Sequence, residues 1–173
     1  MNVFNTDVFL PTAPVVRAAE PRRPTYTDVY WSAPVQWTTR NRYKGSQKLG
    51  LAYEQRVVDV LSAIYSSCFV RSPTIRYKHR SKPKAAVLDG LLHLGPETFI
   101  IEVKLAHTER VWEQLMVRYK TLVKALCPTQ RIRTVEICRS YDPSIELPGA
   151  YMKIASLHRP ANTAGLEVLQ WKI

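Results

Sequence analysis

The sequence predicts a mixed α/β domain: one central β-sheet of mixed strand direction with helices on its faces, behind an extended arm. Three observations predict it. Two stretches, residues 47–64 and 108–126, carry apolar side chains at three- and four-residue steps, the pattern of amphipathic helices. Between them lie short β-like runs, the last two joined by Gly95-Pro96-Glu97, a hairpin signal. Behind the second helix, Ile132–Cys138 alternates like a strand, close enough to imply a crossover to a parallel neighbour.

Residues 1–45 form the arm. Pro11, Pro14, Pro21, Pro24 and Pro34 interrupt any helix, and no hydrophobic period survives between them. Yet Tyr26, Tyr30, Trp31, Trp37 and Tyr43 alternate with Arg22, Arg23, Arg40, Arg42 and Lys44, and flexible tails are poor in aromatics. The segment reads as an extended arm that docks on its own domain, on a second protein subunit or on nucleic acid.

From Gln47 a helix follows, with Leu49, Tyr53, Val57, Val60, Leu61 and Ile64 as its stripe and Ser46 as its N-cap. Strands are expected at Cys68–Arg71, Thr74–Lys78, Ala86–Leu94 and Thr98–Leu105. The second helix buries Val111, Leu115, Tyr119, Leu122, Val123 and Leu126, with Trp112 as packing, and Pro128 stops it. Beyond Ile132–Cys138, Tyr151–Leu157 and Leu166–Trp171 are further strands around a polar loop at 160–165. The domain therefore spans 46–173, with a core at 46–140 and additional strands in 150–173.

Charge narrows the class of partner. Lys and Arg total 25 against 14 Asp and Glu, a net +11, which points to an anionic partner and above all to nucleic acid. From Arg71 to Lys84 there is no acid, while Arg71, Arg76, Lys78, Arg80, Lys82 and Lys84 all fall in this stretch; it is the first candidate for phosphate contacts. Cys68, Cys127 and Cys138 form no CxxC pair, and Cys68 and Cys138 read as small core residues of a reducing compartment. The start lacks a signal-peptide pattern and no apolar run reaches spanning length, so a soluble cytoplasmic protein without membrane contact is expected.

The chemistry concentrates in Val87-Leu88-Asp89-Gly90 and Ile100-Ile101-Glu102-Val103-Lys104. Alternation along the second strand points Ile100, Glu102 and Lys104 to one face and Phe99, Ile101, Val103 and Leu105 to the other. A strand apolar on both sides lies inside a covered sheet, where a carboxylate needs a partner. One solution is a plain Glu102–Lys104 ion pair. The other adds Asp89, which a hairpin around Gly95-Pro96 brings to the same face. Two adjacent carboxylates repel unless a cation lies between them, and oxygen ligands favour Mg2+ or Mn2+ over zinc. The four histidines, His79, His93, His107 and His158, show no metal-ligand spacing; His93 reads as structural, and His107, just past Lys104, is placed to approach the site.

In these residues, residues 46–140 resemble the PD-(D/E)XK phosphodiesterase superfamily, which includes restriction endonucleases and recombination exonucleases. Asp89 matches its first aspartate, preceded here by Leu88 rather than proline, and Glu102-Val103-Lys104 matches the tripeptide. Gly50-Leu51-Ala52-Tyr53-Glu54 resembles the family's first helix, whose glutamate completes the metal site. Gln114 lies in the helix after the tripeptide, where many members place a glutamine. Some carry a tyrosine four residues past it; here Arg118 takes that place and Tyr119 follows.

The resemblance implies a restriction-endonuclease-like core and one or two Mg2+ (or Mn2+) ions held by Asp89, Glu102, the Val103 carbonyl and Glu54. Lys104 and Gln114 would be catalytic beside them, and Arg118 would join the nucleic-acid contacts. The expected function is a Mg2+-dependent deoxyribonuclease. The alternative is a phage or viral structural or assembly protein, for head completion or packaging, built on a nuclease-like fold and docking through residues 1–45; its place would be the host cytoplasm or the virion.

Overall fold

The computed structural model describes residues 25–33 and 44–140, two short strands within 152–159, and 166–171 with 173. They form a mixed α/β fold around a seven-stranded mixed sheet, with a separate three-stranded sheet beside it.

The first strand, β1 (Tyr26–Ser32), comes from the arm and pairs antiparallel with β3 (Thr74–His79), so this stretch of the arm docks on its own chain. The pairing register shifts between Thr27 and Tyr30, where Asp28 takes a φ of 51° and ion-pairs with Lys78 at 2.6 Å. β4 (Lys82–Val87) pairs on the other side of β3 and completes the small sheet. Most of the basic stretch is thus a β-hairpin, in which the expected strand at Thr74–Lys78 pairs with residues 82–87. Its tip, Arg80-Ser81, holds φ of 50° and 62°, the two-residue turn that matches strand twist. Arg-Ser is not a sequence signal for that turn, so only its neighbours' pairing reveals it.

The large sheet runs β2 (Phe69–Arg71), β5 (Gly90–Leu94), β6 (Glu97–Ala106), β7 (Arg131–Ser140), β10 (Leu166–Gln170), β9 (Leu157–Arg159), β8 (Met152–Ile154). β5 and β6 form the expected antiparallel hairpin, and β6, β7 and β10 are mutually parallel. The expected strand Ala86–Leu94 is corrected: it breaks at Leu88-Asp89, because its first half belongs to the small sheet and its second to the large one.

Helix α1 (Ser46–Tyr65) covers one face of the large sheet, burying Tyr53, Val57, Val58, Leu61 and Tyr65 against Phe99, Ile101, Val103, Val135 and Ile137. Its stripe is rotated from the expected one: Val58 and Tyr65 are buried, whereas Leu49 and Ile64 face solvent. Gly45, not Ser46, stands at the N-cap; its φ of 57° suits glycine. The Tyr53 hydroxyl donates to the Trp171 carbonyl at 2.7 Å and ties the helix to the last strand's end. Cys68 is exposed at the turn after α1, not in the core; Cys138 is buried as expected.

The other face is covered by a continuous helical stretch: α2 (Glu109–Trp112), a π-helical segment (Glu113–Tyr119) and α3 (Lys120–Leu126). Val111, Leu115, Tyr119, Leu122 and Val123 pack here on Leu91, Ile100 and Val168, together with Ile75, Tyr77 and Ala86 of the small sheet, and Trp112 packs at the margin. Gly90 marks the tightest approach: a Cβ there would stand 2.5 Å from the Phe69 ring.

Candidate active site

β6 is buried along most of its length and flanked on both sides, so its polar residues emerge where the helices leave room. Ile100 belongs to the core under α2 and α3, and Phe99, Ile101 and Val103 to the core under α1. By alternation Glu102 and Lys104 share the face of Ile100.

Asp89 sits in the break between β4 and β5, not within a strand. Backbone bonds pin that pivot: Ser72 N–H donates to the Asp89 carbonyl at 3.2 Å and Leu88 N–H to the Pro73 carbonyl at 3.1 Å. Gly90 pairs with Ile101, so the next rung sets Asp89 beside Glu102. Asp89 Oδ2 accepts the Val103 N–H at 2.7 Å.

Glu102 is only 2% exposed. Its Oε1 accepts from Lys104 Nζ and from Gln114 Nε2, the latter at 2.8 Å. Its Oε2 is buried without a hydrogen-bond partner. Burial, and then the neighbouring charge of Asp89, push the Glu102 carboxyl up to about 8, against the pull of Lys104. Asp89 is raised too, by burial, although Lys104 and the Val103 N–H oppose the shift. Glu54 reaches toward the same place from α1; burial and then Asp89 push it up to about 7. Burial pulls the Lys104 ammonium down, but Glu102, Asp89 and Glu54 together outweigh it and the net shift is upward. The ion pair expected from Glu102 and Lys104 therefore forms, yet it does not neutralise the surplus acids around it.

The helix above contributes two groups. Gln114 Nε2 bonds both Glu102 and the Tyr119 hydroxyl, the second at 2.7 Å, and that hydroxyl donates to the Val87 carbonyl at 3.0 Å. In a regular α-helix residue 118 would share the face of Gln114. Here the stretch is π-helical, and its wider turn brings position i+5 under position i, so Tyr119 replaces Arg118. Tyr119 is thus a site residue that sequence spacing missed. Tyr119→Phe is expected to lower stability by about 1 kcal/mol and to loosen the Gln114–Glu102 bond, because Gln114 loses its anchor and the Val87 carbonyl its donor. A urea titration checks the first, and the NMR signals of the Gln114 side-chain amide check the second.

A second buried pair lies one strand away. Glu136 on β7 is in register with Glu102, and its Oε2 pairs with His107 Nδ1, both side chains fully buried. Burial raises the Glu136 carboxyl, while His107 and Lys104 draw it back. His107 therefore approaches the site through Glu136. An acid flanked by Val135, Ile137 and Cys138 was the signal available in the sequence. His93 bonds the Thr98 hydroxyl at 3.0 Å, a structural contact on the β5–β6 hairpin.

The basic residues divide. Arg80 at the hairpin tip and Arg118 line a groove that also reaches Gln114. Arg71 instead ion-pairs with Asp59 at 2.7 Å, and Lys78 with Asp28. Arg76, Lys82 and Lys84 are exposed on the small sheet and outside that groove.

Among the described residues, no three His, Cys, Asp or Glu side chains are gathered tightly enough to hold an ion as they stand. The donor chemistry nevertheless fits one. Asp89, Glu102 and Glu54 are hard oxygen ligands, the buried Glu102 Oε2 has no hydrogen-bond partner, and neighbouring like charges add to burial in raising Glu102 and Glu54. Comparison with protein-family models, with curated proteins and with solved structures finds no match to this chain.

Proposed function

We propose that this chain is a nuclease that hydrolyses phosphodiester bonds in DNA with Mg2+ or Mn2+, on a restriction-endonuclease-like core of the PD-(D/E)XK type. One observation carries the reading: Asp89 stands beside Glu102 and Lys104, Glu54 feels their charge, burial raises all three acids with neighbouring carboxylates adding to Glu102 and Glu54, and one buried carboxylate oxygen is unpartnered. A purely structural ion pair needs one acid for Lys104, not three.

Asp89, Glu102, the Val103 carbonyl and Glu54 would hold the ion. Bound there, the ion supplies acidification of a water and neutralisation of the phosphate. The protein's own groups do the rest. Lys104 keeps Glu102 in place and offers its remaining ammonium hydrogens to a phosphate oxygen or to the attacking water. Gln114 fixes the other side of Glu102 and is itself held by Tyr119, so the acid enters the reaction pre-oriented.

Incubation of the purified chain with plasmid and linear DNA in millimolar Mg2+ tests the reading. Cleavage that stops on adding EDTA and resumes with Mn2+ is the expected result. DNA left intact with every divalent ion, or cut equally in EDTA, would remove the assignment.

A further inference from the structure

Between the small sheet and the helical stretch runs a groove of about 880 Å3. Tyr26, His79 and Arg80 stand on one wall and Arg110, Gln114 and Arg118 on the other, with Glu113 as the acid among them. We propose that this groove holds a single-stranded stretch of the nucleic acid and leads it to Glu102, an inference that rests on the nuclease reading and names the class of its substrate.

Four features support it. First, guanidinium groups approach from both walls, which suits a chain of phosphates passing between them better than one compact anion. Second, the size is that of a small-molecule pocket, roughly 300–1,000 Å3. A few nucleotides fit, whereas a duplex, whose major groove alone spans about 12 Å, must ride over the rim. Third, Tyr26 presents an aromatic wall set by edge contacts to Tyr77 and His79, with ring centroids 5.1 and 5.5 Å away. Bases stack on such walls regardless of sequence. Fourth, Gln114 belongs both to the groove lining and, through its 2.8 Å bond, to Glu102. A strand in the groove therefore passes within one side chain of Glu102.

Backbone pairing places both residues on the small-sheet wall. Arg80 projects from a two-residue turn whose flanking residues, His79 and Lys82, are paired. Tyr26 is positioned by the pairing of the edge strand β1 with β3.

Binding of a fluorescein-labelled thymidine 15-mer by the full-length Asp89→Asn protein, followed by anisotropy across a salt series, tests the groove. Asparagine is chosen at position 80 because it accepts the positive φ. Arg80→Asn with Arg118→Gln is expected to weaken binding at least tenfold and to reduce the slope of log K against log salt by about 1.4, at about 0.7 per single-strand phosphate contact. Arg56→Gln with Arg131→Gln makes the same charge change away from the groove and is expected to change affinity less than threefold. Unlabelled single strand should compete better than blunt duplex of equal length. Equal weakening by both double variants, or better competition by duplex, overturns the groove. Cleavage by the wild-type chain distinguishes the two failures. Groove-dependent binding without any cleavage removes the nuclease reading alone, whereas cleavage with binding indifferent to Arg80 and Arg118 removes the groove alone.

Discussion

Asp89→Asn is expected to reduce Mg2+-dependent cleavage by about a thousandfold or more, and at the same time to raise the thermal midpoint of the metal-free protein. The loss follows from removing an anionic oxygen that holds the ion and keeping no charge to replace it. The gain follows from the geometry. The amide carbonyl of asparagine can still accept the Val103 N–H, so the pivot between β4 and β5 keeps its bond. What disappears is a buried charge next to Glu102, the second-largest cause of that group's upward shift. Relief of one pKa unit corresponds to about 1.4 kcal/mol. For a chain of this size that is about 3–5 °C in Tm. Differential scanning fluorimetry beside a cleavage assay reads both. Opposite signs in activity and stability mark a residue kept for its chemistry. A variant that loses both together would assign Asp89 to holding the turn.

A second large effect concerns pH. Glu102 and Glu54, pushed up to about 8 and about 7 in the folded protein, both have an ordinary value of 4.5. Between 4.5 and these values the folded chain keeps protons that the unfolded chain has released. Folding stability therefore falls as pH rises through that window and levels off above it. Glu102, the more buried of the two, carries the larger part of this fall, and solvent screening reduces the share of Glu54. Lys104 is raised in the other sense, so its contribution is lost only in strongly alkaline solution, beyond the window. A divalent ion held by the ionised acids, as proposed, would stabilise the fold by about 2.7 kcal/mol at a hundredfold excess over Kd. Melting curves with and without Mn2+ should coincide near pH 5 and separate by pH 8. The fall should flatten in Glu54→Gln with Glu102→Gln; an unchanged slope in that double variant would place the destabilisation elsewhere.

Periodicity revealed the helices, the β5–β6 hairpin and the parallel return through β7, because those depend on local apolar spacing. The acid–lysine alternation on β6 and the hairpin before it likewise group Asp89, Glu102 and Lys104 in the sequence, since a charged pair in an apolar strand has few explanations, whereas Gln114 comes only from the family resemblance. Three features escaped. The break at Leu88-Asp89 has only the Asp89-Gly90 dipeptide as a signal, inside an otherwise apolar run, and is decided by which sheet each half joins. The tight turn at Arg80-Ser81 uses residues that rarely take positive φ, so it resembles a solvated loop in sequence. The exchange of Tyr119 for Arg118 depends on hydrogen-bond pattern within one helix, which composition does not encode.

β1 is joined to the rest of the protein through β3, whose residues lie some fifty positions later in the chain. The groove wall can therefore be assembled only after the hairpin exists, and it hangs on an edge while β6 lies locked between two neighbours. Such an edge can detach without dissolving the large sheet. Any molecule seated against Tyr26 holds that edge down, so occupancy and local order rise together: the protein can lose its cradle and keep its anvil.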